Sequence, residues 1–141
     1  MSEDVFLSDQ NSVSHRWAIL EDDGLSAWLY LTESGSPTPT ADCWIYNRTL
    51  DSETLEKSAM FKAPPPASSE YVGESSVIIS PDISFFQLVW SRDGNSVAFF
   101  DKNILMGFIA AGEQRGYSRN LIKSGAWGNI LDCDLHKSLF Y

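Results

Sequence analysis

Twice in this chain a run of strand-forming residues meets an Asp-Gly step and is answered by a second such run. The first pair is HRWAILEDDGLSAWLYLT (15–32) and the second is FQLVWSRDGNSVAFFD (86–101). Asp-Gly supplies the positive-φ positions of a tight turn at little steric cost, so each pair reads as an antiparallel β-hairpin. Along the first strand Trp17 and Ile19 fall on one face, and Ala18 and Leu20 on the other. In the answering strand Leu25, Ala27, Leu29 and Leu31 alternate with Ser26, Trp28, Tyr30 and Thr32, which predicts a half-buried strand with its aromatics on the less aliphatic face.

Further strands are expected at 42–48 (DCWIYNR), 76–80 (SVIIS), 84–91, 96–101 and 104–110 (ILMGFIA), the last joined to its predecessor by a two-residue KN link. Residues 33–41 (ESGSPTPTA) read as a loop, and 112–120 (GEQRGYSRN) as a mobile polar loop between strands. Short helices are expected at 51–61 and near the C-terminus. There Trp127, Leu131, Leu135 and Leu139 recur at spacings of four, with Asn129 as the cap. Residues 62–74 form a Pro-rich connection of polyproline character, and residues 1–12 a flexible N-terminus. The expected fold is α+β, mainly antiparallel β: residues 1–141 as one domain, a single twisted sheet of six or seven strands carrying one or two short helices.

The Trp-Ser-x-Asp-Gly step at 90–94 also occurs in β-propeller blades. A propeller needs at least four blades of about 40–50 residues each, more than 141 residues supply. The two Asp-Gly steps, Asp23-Gly24 and Asp93-Gly94, are too far apart in the chain to mark a blade period. What the segment shares with propellers is the local physics of a tight hairpin.

RWAILEDDGLSAWLYL, followed by CWIYN and later by VWSRDGNSVAFFDKNILMGFI, resembles a group of small bacterial single-domain proteins of unknown function. The resemblance implies a compact β-rich domain and carries no catalytic residues. In size and charge the chain is also similar to immunity proteins that neutralise secreted bacterial toxins.

The formal net charge is −9. In residues 1–35 the acids Glu3, Asp4, Asp9, Glu21, Asp22, Asp23 and Glu33 face the single base Arg16. Such a balance is repelled by phosphate backbones and anionic bilayers, which argues against nucleic-acid and membrane partners. No basic leader precedes an apolar run and no apolar run is long enough to span a bilayer, so a cytoplasmic, reduced setting is expected.

Catalytic motifs are missing: His15 and His136 are the only histidines, and no Gly-x-Ser-x-Gly elbow or Gly-rich phosphate loop occurs. Cys133-x-x-His136 is half of a zinc site that would need Cys43 and His15 to converge, so neither metal nor cofactor is expected. The reading is a non-enzymatic interaction protein, immunity-like, that binds a basic protein partner through Glu21, Asp22, Asp23, Trp28 and Tyr30, aromatic anchors beside complementary charge. The alternative is a small-molecule binding domain or minor enzyme that holds an anionic ligand with Arg115, Tyr117 and Arg119 in a pocket near 112–120. A homodimer through an edge strand is the remaining expectation for partners.

Overall fold

A computed structural model describes residues 5–48, 67, 71–72 and 76–141. Its strands are β1 (Val5–Gln10), β2 (Trp17–Asp22), β3 (Ser26–Thr32), β4 (Pro39–Asn47), β5 (Phe86–Trp90), β6 (Val97–Asp101), β7 (Ile104–Ile109), β8 (Tyr117–Ser118) and β9 (Asn129–Ile130). A 3-10 turn (Ile83–Phe85) precedes β5, and helix α1 (Cys133–Phe140) ends the chain. Both Asp-Gly hairpins form: β2 pairs with β3 and β5 with β6, each antiparallel.

The strands make two sheets, of four strands in the order β1-β2-β3-β4 and of five in the order β5-β6-β7-β8-β9, rather than one sheet of six or seven. Among the described residues the strand pairings are antiparallel except β8 with β9, and the isolated bridges Asp42–Arg115 and Asn47–Val77 are also parallel. Hairpin signals fix neighbours within a meander but do not say how one meander meets another. Here β4 meets the second meander through its free edge: Asp42 N–H donates to Gln114 O at 3.0 Å and Gly116 N–H to Asp42 O at 2.8 Å. A Cβ on Gly116 would lie 2.6 Å from both Cys43 Cβ and Phe108 O, so only glycine lets the 114–116 segment run this close to β4.

Three apolar clusters follow from strand alternation. The main core lies between the sheets, with Leu20, Leu29 and Ile45 against Phe99, Met106 and Ile109. The outer face of the first sheet buries Trp28 and Trp44 beneath Ala67, Val72 and Leu121, with Tyr71 and Trp127 at the margin. Asn47 fixes that cover, donating from Nδ2 to Ala67 O and accepting Ala67 N–H, each at 2.9 Å. The outer face of the second sheet carries Ala98 and Phe108 beneath Leu135, Leu139 and Phe140 of α1.

Several local expectations change. Residues 1–12, read as flexible, include edge strand β1, which contributes Leu7 to the main core. Pro39–Ala41 belong to β4 rather than to a loop, because the proline sits at the strand's first position, where a missing donor costs least. Among the described residues, 76–80 supply a single bridge, Val77 to Asn47, and Ile79 is exposed. The 112–120 segment is largely built into the sheets through Arg115 and β8. Asn129 lies in β9, and the helix is capped instead by Asp132, whose carboxylate accepts Leu135 N–H at 3.0 Å. The helix expected at 51–61 and most of the 62–74 connection lie outside the described residues.

His136 is the buried centre of the α1 interface, ringed by Phe140 (4.7 Å, stacked), Phe108 (5.5 Å) and Phe100 (5.9 Å). Its Nε2 is enclosed without a hydrogen-bond partner, and burial pushes its pKa below the ordinary histidine value. With the folded pKa depressed, the unfolded chain binds the proton more tightly. The neutral ring therefore supports folding fully above about pH 6.5, and that support is lost as pH falls through the lower folded pKa. Urea midpoints measured from about pH 7 down to about pH 5 should fall more steeply for the wild type than for His136→Leu, which cannot titrate.

Candidate functional site

Cross-strand register decides which side chains share the outer face of the first sheet, since directly opposed residues point the same way. One row runs Phe6, Glu21, Trp28, Trp44 and the next runs Ser8, Ile19, Tyr30, Asp42. The Trp28 end is roofed over by the second apolar cluster. The β1–β2 end is open, with Phe6 62% exposed and Glu21 also exposed.

Of the expected partner-binding residues, Glu21, Trp28 and Tyr30 share this face, but Asp22 does not. Alternation sends Asp22 inward with Ala18 and Leu20, and it is fully buried. There its carboxylate accepts the Tyr46 hydroxyl at 2.6 Å, the Arg48 guanidinium at 2.9 Å and Gly24 N–H at 2.8 Å. A β-bulge makes this possible. Ala27 pairs with Tyr46 and Trp28 with Trp44, so Ile45 is an extra residue and both Ile45 and Tyr46 face the core. Burial, then the bond to Asp22, pushes the Tyr46 phenol far above its usual range. Asp22 is thus a structural anchor and unavailable to a partner. Trp28 is likewise buried and sits under the cover, so it supports the face without presenting a surface.

Asp23 is partly buried, and its carboxylate is engaged in the turn, accepting Leu25 N–H at 2.9 Å and Ser26 N–H at 3.2 Å. Tyr30 stacks on Trp28 with the ring planes 16° apart. Its phenol is pushed up to about 12, first by burial and then by the carboxylates of Glu21, Asp42 and Asp23. Three negative charges therefore act on one half-exposed aromatic residue.

The three residues of the anionic-ligand alternative each have a different bonding partner. Arg119 donates from Nε to Leu105 O at 2.6 Å. Tyr117 stacks on Phe108 and donates its hydroxyl to Glu113 at 2.9 Å. Arg115 donates to Ala126 O and joins Tyr30, Asp42 and Gln114 around a cavity of about 240 Å³. Tyr30 and Arg115, drawn from two separate sequence readings, thus meet in one place. The third member, Asp42, was missed. Its pairing with Tyr30 depends on the register of β3 against β4, which no local pattern gives, and its pKa is raised by burial against the pull of Arg115.

A larger cavity of about 610 Å³ adjoins the first, sharing Thr40, Ala41 and Gln114, with Arg16, Glu33 and Glu113 on its walls. Arg16 is held in place, Nε donating to Asn95 Oδ1 at 3.0 Å and NH1 to Thr32 O at 2.9 Å.

Metal-ligand groupings of three or more His, Cys, Asp or Glu are absent among the described residues. Cys43 is buried in the main core while Cys133 is exposed, so the two thiols belong to different environments. Among the described residues no helix is long and apolar enough to cross a membrane. Comparisons with protein-family models, with curated proteins and with solved structures find no match to the chain.

Removing the Asp22 carboxylate leaves Arg48 buried without its counter-charge and Tyr46 without its acceptor. Asp22→Ala should destabilise the fold by about 3–5 kcal/mol, read as a lowered urea midpoint.

Proposed function

We propose that the chain is a non-enzymatic interaction protein that presents the open part of its first sheet's outer face to a basic protein partner. The observation that carries this reading is the place of Tyr30, half-exposed on the same outer face as Glu21 and paired in register with Asp42; its phenol is raised first by burial and then by Glu21, Asp42 and Asp23. An aromatic anchor inside a negative field is suited to a partner surface of Arg or Lys interleaved with apolar side chains, where charge steers the encounter and apolar contact holds it. Phe6 and Ile19, on the same face, supply the apolar part, and Glu21 the exposed charge. The surface of this reading is therefore Phe6, Ile19, Glu21 and Tyr30, with Asp42 behind it.

A toxin-neutralising role of the immunity kind is one form of this reading. An acidic protein gains partner selectivity in this way, because like-charged surfaces are repelled at the same face.

The test is a titration of the ¹⁵N-labelled chain with a synthetic peptide of alternating Arg and Leu. Amide shifts should map to β1–β3 around Phe6, Glu21 and Tyr30, and the affinity should fall with added salt. Glu21→Lys should leave stability within about 0.5 kcal/mol, since the residue is exposed, yet weaken the peptide several-fold. Shifts centred on α1, or an affinity insensitive to both salt and Glu21→Lys, would overturn the assignment.

A further inference from the structure

The geometry points to a second site, which shares Tyr30 and Asp42 with the open sheet face: the cleft between the start of β4 and the 111–115 segment binds a zwitterion, either a free amino acid or a short peptide with unblocked ends. It needs no protein partner and does not rest on the reading of the sheet face.

The cleft is the pair of adjoining cavities, about 240 Å³ and about 610 Å³, that meet across Thr40, Ala41 and Gln114. A β-bulge lies at the junction. Leu31 pairs with Ala41 and Thr32 with Pro39, so Thr40 is the extra residue that bends β4 at this point. Bulges re-aim side chains and end regular pairing, and here the neighbouring segment is bonded to β4 at Asp42.

Each chamber sets a guanidinium near carboxylates without letting them pair. Asp42 and Arg115 line the smaller one, close enough for Arg115 to act on the Asp42 carboxyl but not within ion-pair distance. Asp42 Oδ1 is enclosed and has no hydrogen-bond partner. In the larger chamber Arg16 is fixed by Asn95 and Thr32, and neither Glu33 nor Glu113 forms an ion pair with it. Charges that are not paired with one another leave a gap that a ligand of matching polarity can fill.

The sign pattern selects the ligand class. A simple anion meets Asp42, Glu33 and Glu113, while a simple cation meets Arg16 and Arg115. A dipolar ligand satisfies both, with its ammonium toward Asp42 and its carboxylate toward Arg115. Charge-assisted hydrogen bonds of this type are the strong ones. Tyr30 forms an aromatic wall beside the ammonium position, and the Gln114 side chain offers both a donor and an acceptor for a peptide group. The larger chamber leaves room for a second residue.

The experiment titrates the ¹⁵N-labelled full chain with alanine, Ala-Ala, N-acetyl-Ala-Ala and Ala-Ala-amide. Saturable shifts at Thr40, Gln114 and Arg115 are expected from the unblocked ligands. Each blocked form should bind about tenfold or more weakly, the loss expected for one charge-assisted bond. Alanine against Ala-Ala then tells whether an amino acid or a peptide is preferred. Asp42→Asn should erase the penalty for acetylation, and Arg115→Gln the penalty for amidation. Should either variant fail to fold, the blocked-ligand comparison on the wild type decides alone. Blocked ligands that bind as well as free ones, or no saturable shift from any of the four, overturn the proposal.

Discussion

The buried carboxylate of Asp22 is the constraint on which the first sheet depends. A fully buried ionised group is tolerated only with paired charge and satisfied lone pairs. Asp22 has both, from Tyr46, Arg48 and Gly24. Those partners come from the turn that follows β2 and from the end of β4, and Arg48 also donates to Ile79 O at 3.1 Å. One side chain therefore ties the hairpin, the last strand of the sheet and the segment leading to the second sheet. A one-residue slip of β2 against β3 would send Asp22 to the outer face and Glu21 into the core. The register that puts Glu21 beside Trp28 and Ile19 beside Tyr30 is thereby held from within.

The opposite end of the molecule is fixed by turn against turn. Gly94, with φ of +74°, belongs to the SRDGNS turn and sits against the Asn11 side chain, where a Cβ would lie 2.2 Å from Asn11 Oδ1. Ser14 Oγ donates to Gly94 O at 2.7 Å, Arg16 bonds Asn95, and Trp90 Nε1 donates to Asp9 at 2.7 Å. The Trp-Ser-x-Asp-Gly step thus does more than close its own hairpin. It docks the second sheet on the β1–β2 connection, and in doing so immobilises Arg16 at the wall of the larger cavity.

How much of this was legible depends on range along the chain. Both hairpins could be read because Asp23-Gly24 and Asp93-Gly94 are local signals flanked by alternating residues. Parity also contained the fate of Asp22, since Ala18, Leu20 and Asp22 are spaced by two; the acid-rich tip drew attention to the turn instead of to the alternation. The division into two sheets was not legible. Nor was the way the two sheets meet, where Gly116 passes against Cys43, a contact between residues 73 positions apart that no local pattern announces. The meeting of Tyr30, Asp42 and Arg115 shares that origin. Asp42 meets Tyr30 through the register that pairs Trp28 with Trp44, and it meets Arg115 because β4 pairs with the 114–116 segment.

The acidic balance acquires a different meaning once each carboxylate is followed to its partner. Several aspartates are engaged within the fold: Asp9 accepts the distant Trp90 indole and Asp22 the buried network, while Asp23 and Asp93 accept amides of their own turns. Asp82 and Asp132 cap the 3-10 turn and α1. Short side chains suit this work because they reach backbone amides two or three residues away. Glu21 and Glu33 have no such tasks, and both flank the β2–β4 region, where the structure also leaves Asp42 Oδ1 unpartnered. Among the described residues, Glu21, Glu33 and Asp42 thus come together near Tyr30 and the adjoining cleft.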